Sequence, residues 1–245
     1  MAQTAYALSD KGKVREKNED AFNLLPEQGL FIVSDGMGGR KAGAVASKLV
    51  VETLPQMIQE RVAQISVRQS KAISQAMRDT LVDLSEHVRR EGESELELRG
   101  MDATVVLAYL RGHRLYIANM GDIRGHLYRD GKLEQLTEDH SIVGILLKDG
   151  EITSEEAKTH PARGIVSRYI GIEGTVYPDV KSIKVSKGDT LLLCSDGLTG
   201  MASDEAISDI LSKDGDLQQK CQTLVEAANK GGGHDNITVL LVEMD

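Results

Sequence analysis

Aspartates at the ends of apolar segments are the residues in this chain best placed to do chemistry. Asp35 follows Phe31-Ile32-Val33-Ser34, Asp122 follows the segment 115–119 through Met120-Gly121, and Asp196 follows 191–194 through Ser195. Asp235 stands between Gly231-Gly232-Gly233 and an apolar run beginning at Ile237, and Asp20 closes the charged stretch Arg15-Glu16-Lys17-Asn18-Glu19-Asp20. Asp35, Asp122 and Asp196 each have a glycine beside them. An acid so placed can aim its carboxylate into a cleft while the backbone comes close. Several carboxylates converging there repel one another, and only cations hold them ionised together. An all-oxygen ligand set selects hard divalent ions such as Mg2+ or Mn2+ over Zn2+. Taken singly, each acid reads as a turn former or helix cap. The joint pattern is different, because strand–Ser–Asp–Gly occurs twice, at Ser34-Asp35-Gly36 and Ser195-Asp196-Gly197.

The elements that must position these acids can be read from periodicity. Residues 4–8 alternate weakly as a strand, and Ser9-Asp10-Lys11-Gly12 reads as a turn. Leu30-Phe31-Ile32-Val33 is a buried strand feeding a glycine-rich loop. Residues 42–62 and 67–90 carry apolar positions at helical spacing, with Pro55 a candidate kink in the first. After a charged stretch at 91–99 the period changes. Short β-like segments at 104–110, 115–119, 126–129 and 133–136 are separated by Arg111-Gly112 and Asp130-Gly131, which predicts an antiparallel meander. Residues 141–171 form a mixed, charged excursion with a helical stretch at 154–158. Strands return at 176–185 and 190–194, helices at 206–211 and 217–229, and a last strand at 237–242. Helices in pairs and strands in runs favour an α+β layered fold over an alternating βαβ sheet. With no repeat and no linker rich in Pro, Gly or Ser, one domain over 1–245 is expected.

Composition narrows the function. The 245 residues carry 29 Lys plus Arg against 38 Asp plus Glu, a net charge of −9. That sign repels phosphodiester backbones and anionic membranes, so neither nucleic acid nor a membrane is expected as the main partner. With aromatics at 3% and no Trp, a base-stacking platform has little to work with. The two cysteines make no disulfide framework, and Cys194 lies in an apolar run as a core residue. The longest apolar run, 105–110, falls far short of the ~20 residues a membrane span needs, and the first ten residues lack a secretory pattern. A cytoplasmic monomer is the expectation. None of the six histidines forms a zinc-like pair, and only His140 and His234 invite a test as proton carriers.

Arg15 with Asn18-Glu19-Asp20-Ala21, then Asp35-Gly36-Met37-Gly38-Gly39, Gly121-Asp122-Ile123-Arg124, Ser195-Asp196-Gly197-Leu198 and Gly233-His234-Asp235-Asn236 occur in this order. Together they resemble the metal-dependent protein serine/threonine phosphatases of the PPM type (type 2C), in their compact bacterial form. The resemblance runs from about residue 5 to 242. It implies a four-layer α-β-β-α sandwich, two antiparallel sheets flanked by helix pairs, with two or three Mg2+ or Mn2+ ions at one end. By position it implies that Asp35 bridges two ions, that the Gly36 carbonyl joins one of them, and that Asp196 and Asp235 complete the first. Asp20 would hold water on the second ion, Asp122 with Asp196 would match a third-ion site, and Arg15 would grip the substrate phosphate. The excursion 141–171 corresponds to a flap beside the cleft. The implied substrates are phosphorylated proteins, themselves products of a serine/threonine kinase, in signal transduction.

The chemistry fits such a set. A phosphomonoester is nearly dianionic at neutral pH and water is a poor nucleophile. Two ions ~3.5–4 Å apart make a bridging hydroxide available and offset the phosphoryl charge. In such a family member a hydroxide so supplied would attack phosphorus in line with the leaving serine or threonine oxygen, with positioning and electrostatics dominating the rest. The planar fork of Arg15 suits a phosphate. Three positions depart from the usual family pattern: Ile123 in place of serine, Asp102 in Met101-Asp102-Ala103-Thr104, and Arg40 where a histidine is common. Arg40 could contact a phosphate or an acidic substrate surface but is no proton donor. Asp102 either adds charge near the site or faces water, and the second is expected. Two other readings compete. A catalytically silent phosphoprotein adaptor is disfavoured by the presence of all five acids, and a metal-dependent nuclease by the charge of −9.

Overall fold

Strands that are apolar at consecutive positions need cover on both faces. The computed structural model, which describes residues 3–38 and 42–245, supplies it. The chain runs β1 (Gln3–Asp10), β2 (Asp20–Leu25), β3 (Leu30–Met37), α1 (Ala42–Val62) and α2 (Ser70–Ser94). It continues with β4 (Asp102–Arg111), β5 (Arg114–Met120), β6 (Arg124–Arg129), β7 (Lys132–Gln135), α3 (Ile142–Lys148) and α4 (Ser154–Thr159). It ends with β8 (Asp179–Lys184), β9 (Thr190–Cys194), α5 (Asp196–Thr199), α6 (Asp204–Ser212), α7 (Leu217–Lys230) and β10 (Ile237–Met244). The strands form two antiparallel five-stranded sheets, ordered β1-β10-β9-β6-β7 and β2-β3-β4-β5-β8.

Alternation along each strand builds the four layers. In β3, Leu30 and Ile32 point to α1 and α2, while Phe31 and Val33 point between the sheets. In β9, Leu191 and Leu193 meet them there, and Leu192 and Cys194 face the other way, onto α6 and α7. β10 repeats the rule, with Leu240 and Val242 inside the sandwich and Val239 and Leu241 under the helices. The result is the expected α+β sandwich of two sheets between helical layers. Among the described residues no helix is long and apolar enough to cross a membrane.

Two local expectations change. The strands 104–110, 115–119, 126–129 and 133–136 are not one meander. β4 and β5 pair in one sheet, β6 and β7 in the other, and the chain changes sheets at residues 121–123. Adjacent short strands look alike in sequence whether or not they share a sheet. Asp130 and Gly131 both take left-handed backbone (φ 51° and 75°), as a two-residue hairpin requires. The second helix runs on through the charged stretch to Ser94, braced by Arg89 and Arg90 against Glu86 and Glu93. Pro55 sits inside α1 without ending it.

Residues 141–171 leave the sandwich and return to it. An antiparallel bridge between Ser141 and Val166 closes the base, and Ile170 pairs with Ala103 of β4. Within lie α4, capped by Thr153 and Glu156, and α3, which the sequence reading left out. None of α3 is buried, and Ile145 is 44% exposed. The acidic run 213–216 has a structural use, since Asp216 Oδ1 caps α7 by accepting from the Gln219 N–H at 2.8 Å.

Candidate metal centre at the end of the sandwich

Antiparallel pairing brings the far-apart acids to one end of the two sheets. Asp20 opens β2 and Asp35 nears the end of β3, and the register sets them directly opposite each other. Asp122 lies in the turn from β5 to β6, Asp196 follows β9, and Asp235 precedes β10. Gly36 donates its N–H to the Glu19 carbonyl at 3.1 Å. The glycine after Asp196 is required by crowding: a Cβ on Gly197 would lie 2.0 Å from the Asn236 carbonyl oxygen.

The electrostatics of this group are those of mutually repelling anions taken out of water. Burial first, then the charges of Asp20, Asp196, Asp235 and Asp122, push the Asp35 carboxyl well above the usual carboxylate range. Burial and the neighbouring acids Asp122, Asp235 and Asp20 raise Asp196 to about 8. Asp20 is raised to about 6, again by burial first, although the Thr238 hydroxyl donates to its Oδ2 at 2.7 Å and opposes the shift. Asp122 is raised too, by burial and then by Asp139. Each of the four interacts with at least one other acid of the set.

The buried oxygens Asp20 Oδ1 and Asp196 Oδ1 have no hydrogen-bond partner. A buried acceptor left unpaired costs about 1–3 kcal/mol. Carboxylates with raised pKa values, idle oxygens and only oxygen donors around them fit a hard divalent cation. As the side chains stand, no group of three acids, histidines or cysteines among the described residues is drawn together closely enough to hold an ion. The reason is visible in their partners. Asp20 is turned to Thr238, and Asp235 accepts from Arg15 Nη2 at 2.7 Å.

Arg15 reaches over the group from the loop between β1 and β2. Its guanidinium is held charged by Asp235 foremost, and by Asp35 and Asp196. Half of its side chain is exposed. Arg40 lies outside the described residues. Asp102 is a correction. It does not simply face water but is partly buried, opposite Met37 on the face of β4 that carries Thr104, and burial raises its carboxyl. His234 is exposed on the loop before β10. His140 is buried, with its ring between the Gly121 N–H and Asp179.

The sequence reading assigned nothing to the residues that fasten this site. Asn236, buried beside Asp235, donates to the Lys11 and Lys17 carbonyls and accepts from the Glu19 N–H at 2.8 Å. It thereby pins the Arg15–Asp20 loop to the start of β10. The two serines of the repeated Ser–Asp–Gly are fully buried ties between segments. Ser34 Oγ donates to the Thr104 carbonyl at 2.7 Å, and Ser195 Oγ accepts from the Thr238 N–H at 2.9 Å. The repetition itself was the available signal.

Comparison with known proteins agrees with this geometry over nearly the full length. A family model described as protein phosphatase 2C matches residues 12–238. The serine/threonine phosphatase stp of Listeria monocytogenes is 41% identical over 240 residues, covering 97% of this chain and 94% of its own. Among solved structures, the serine/threonine phosphatase Stp1 of Staphylococcus aureus matches with a TM-score of 0.89 at 34% identity, covering 98% of this chain and 94% of its own. The catalytic domain of the serine/threonine protein phosphatase PstP, in complex with two manganese ions, matches with a TM-score of 0.82 at 34% identity, over 98% of this chain and 97% of its own. This chain therefore belongs to the protein phosphatase 2C family of metal-dependent serine/threonine phosphatases.

Proposed function

We propose that this chain hydrolyses phosphoserine and phosphothreonine monoesters in proteins, using two or three Mg2+ or Mn2+ ions. The observation that carries the reading is the group of buried aspartates with idle oxygens and raised pKa values. In this reading Asp20, Asp35, Asp196, Asp235 and the Gly36 carbonyl hold two ions, and Asp122 with Asp196 holds a further one. Bound divalent ions supply Lewis acidity, lowering the pKa of water and offsetting charge on the phosphoryl oxygens.

The chain's own residues do the rest. Asn236 holds the Arg15 loop in register with Asp235. Arg15 turns part of its fork to Asp235, and its half-exposed remainder offers donors to a phosphate entering over the acids. Fixing the phosphate there aligns the leaving serine or threonine oxygen without a covalent role for the protein. Arg40 adds a second cation for the phosphate or for acidic residues beside it. Residues 1–245 act as one phosphatase domain, with 141–171 as a flap at the cleft. The partners are products of a serine/threonine kinase, met by a monomer in the cytoplasm.

The test is phosphate release from a phosphothreonine peptide, first with Mn2+ and then with excess chelator. Release that needs Mn2+ and stops with chelator is expected. Release indifferent to chelator, or none alongside rapid cleavage of DNA, overturns the reading.

A further inference from the structure

Asp122 sits in a turn that is held from one direction by the five residues after β7. Asn119 Nδ2 donates to the Glu138 carbonyl at 2.8 Å. The Leu136 N–H donates to the Gly125 carbonyl at 2.8 Å, and Thr137 Oγ1 accepts from the Gly125 N–H at 3.1 Å. Arg124 grips both oxygens of Asp139, at 2.9 and 2.6 Å. The Asn119 contact braces the end of β5, and those at Gly125 and Arg124 fix the far shoulder of the turn, on β6. At the near shoulder, the hydrogen bonds to Gly121 itself come, among the described residues, from His140. The His140 N–H donates to the Gly121 carbonyl at 2.9 Å, and ring Nδ1 accepts from the Gly121 N–H at 3.3 Å.

The rest of His140 reaches the base of the 141–171 excursion and β8. Its carbonyl accepts from the Ser167 N–H at 2.8 Å, and Nε2 lies 2.9 Å from Asp179 Oδ2. Since Nδ1 accepts, the proton of a neutral ring is on Nε2 and is donated to Asp179. Arg168 holds the other Asp179 oxygen at 3.6 Å. The ring is 3% exposed and every polar atom of it is used. Gly121 has no slack against this clamp. Its φ is +119°, and a Cβ there would lie 2.3 Å from Thr104 Cβ, on the residue paired with Asp35.

We propose that His140 is a positioning residue for Asp122. It grips both polar backbone atoms of Gly121 and, through Ser167 and Asp179, makes the Asp122 turn and the base of the excursion one unit. Asp122's approach to Asp196, and so the affinity for the weakest-bound divalent ion, depends on this grip. The inference rests on the reading of Asp122 and Asp196 as ligands of a further ion.

The test is Mn2+ titration calorimetry on the full chain and two variants, each checked for folding by circular dichroism. His140→Leu removes the ring acceptor. Its weakest binding step is expected to fall roughly tenfold while the tighter steps stay within about twofold. His140→Asn keeps an acceptor at the same reach and is expected to restore that step to within about threefold. Steady-state kinetics should agree, with the Leu variant needing about tenfold more Mn2+ for half-maximal kcat. Should the Leu variant fail to fold, Asp179→Ala, which removes the acceptor of Nε2 at a half-exposed site, is expected to weaken the same step selectively. A Leu variant (or, in its place, the Asp179 variant) with the parent's isotherm, or with all steps weakened alike, overturns the inference. A parent that shows no weak step beyond the tight ones overturns the assignment of Asp122 as well, and the two failures are thus distinct.

Discussion

Replacing Asp196 by asparagine should make the metal-free protein more stable, an unusual outcome for a buried polar position. Asp196 is raised to about 8 by burial and by Asp122, Asp235 and Asp20. In the unfolded chain the same group ionises near 4. At pH 7 the fold must hold a proton that the unfolded chain has released, which costs on the order of 4 kcal/mol. The amide of Asn carries no such cost but remains a buried polar group with an idle oxygen, returning about 1–3 kcal/mol of it. A net gain of about 1–3 kcal/mol remains, worth roughly 3–10 °C in Tm for a chain of this size. The sign depends on pH in a fixed way. A folded pKa above the unfolded one gives stability that is complete below pH 4 and is lost as pH rises through 8. In chelator, the parent should therefore melt lower at pH 8 than at pH 5, and Asp196→Asn should flatten that slope. With Mn2+ the order reverses, because the parent gains from binding and the variant loses most of that gain. Calorimetric melts of both proteins at pH 5 and pH 8, in chelator and in Mn2+, decide it. An Asn variant that melts below the parent in chelator at pH 8, or that gains as much from Mn2+, refutes the argument from buried repulsion.

Four further outcomes follow from particular contacts. Arg15→Lys keeps the charge but loses the fork that holds Asp235 and, in the proposed function, would hold a phosphate, so kcat/KM on a phosphopeptide should fall about tenfold or more, with the fold intact by circular dichroism. His126 is buried with both ring nitrogens unpartnered, so His126→Leu should raise stability in urea by about 1 kcal/mol at pH 7. Burial lowers that histidine to about 4, so the parent alone should lose on the order of 3 kcal/mol as pH falls from 6.5 to 4, visible as a widening gap between parent and variant. Gly197→Ala should cost at least about 2 kcal/mol and weaken Mn2+ binding, because its Cβ would lie 2.0 Å from the Asn236 oxygen.

Much of this architecture was legible in the chain because its signals are local. Leu30-Phe31-Ile32-Val33 reads as a buried strand and Leu191-Leu192-Leu193-Cys194 as an apolar run within one, and both are buried on both faces in the sandwich. The acids stood out because a strand end, a serine and a glycine recurred around two of them. What was not legible depends on neighbours far along the chain. Nothing in 115–129 tells that β5 and β6 part into different sheets, since that follows from β9 pairing with β6 and β8 with β5. Helix α3 was hidden because Ile142-Val143-Gly144-Ile145-Leu146-Leu147 is a nearly continuous apolar run, with no polar face to set a helical period. Asp102 looked like a surface residue because its partial burial comes from the chain returning at Gly171, where a Cβ would meet Asp102 Oδ1 at 2.4 Å. His140 looked like a proton carrier because sequence shows the ring but not Gly121 and Asp179 on either side of it.

The most direct measurement is the anomalous scattering of manganese in crystals of this protein grown with Mn2+. The account predicts at least two peaks within about 4 Å of each other, between Asp20, Asp35, Asp196 and Asp235, with Asp196 Oδ1 turned onto an ion. Crystals grown with Mn2+ in which those carboxylates keep their separate partners and no peak lies among them would contradict it.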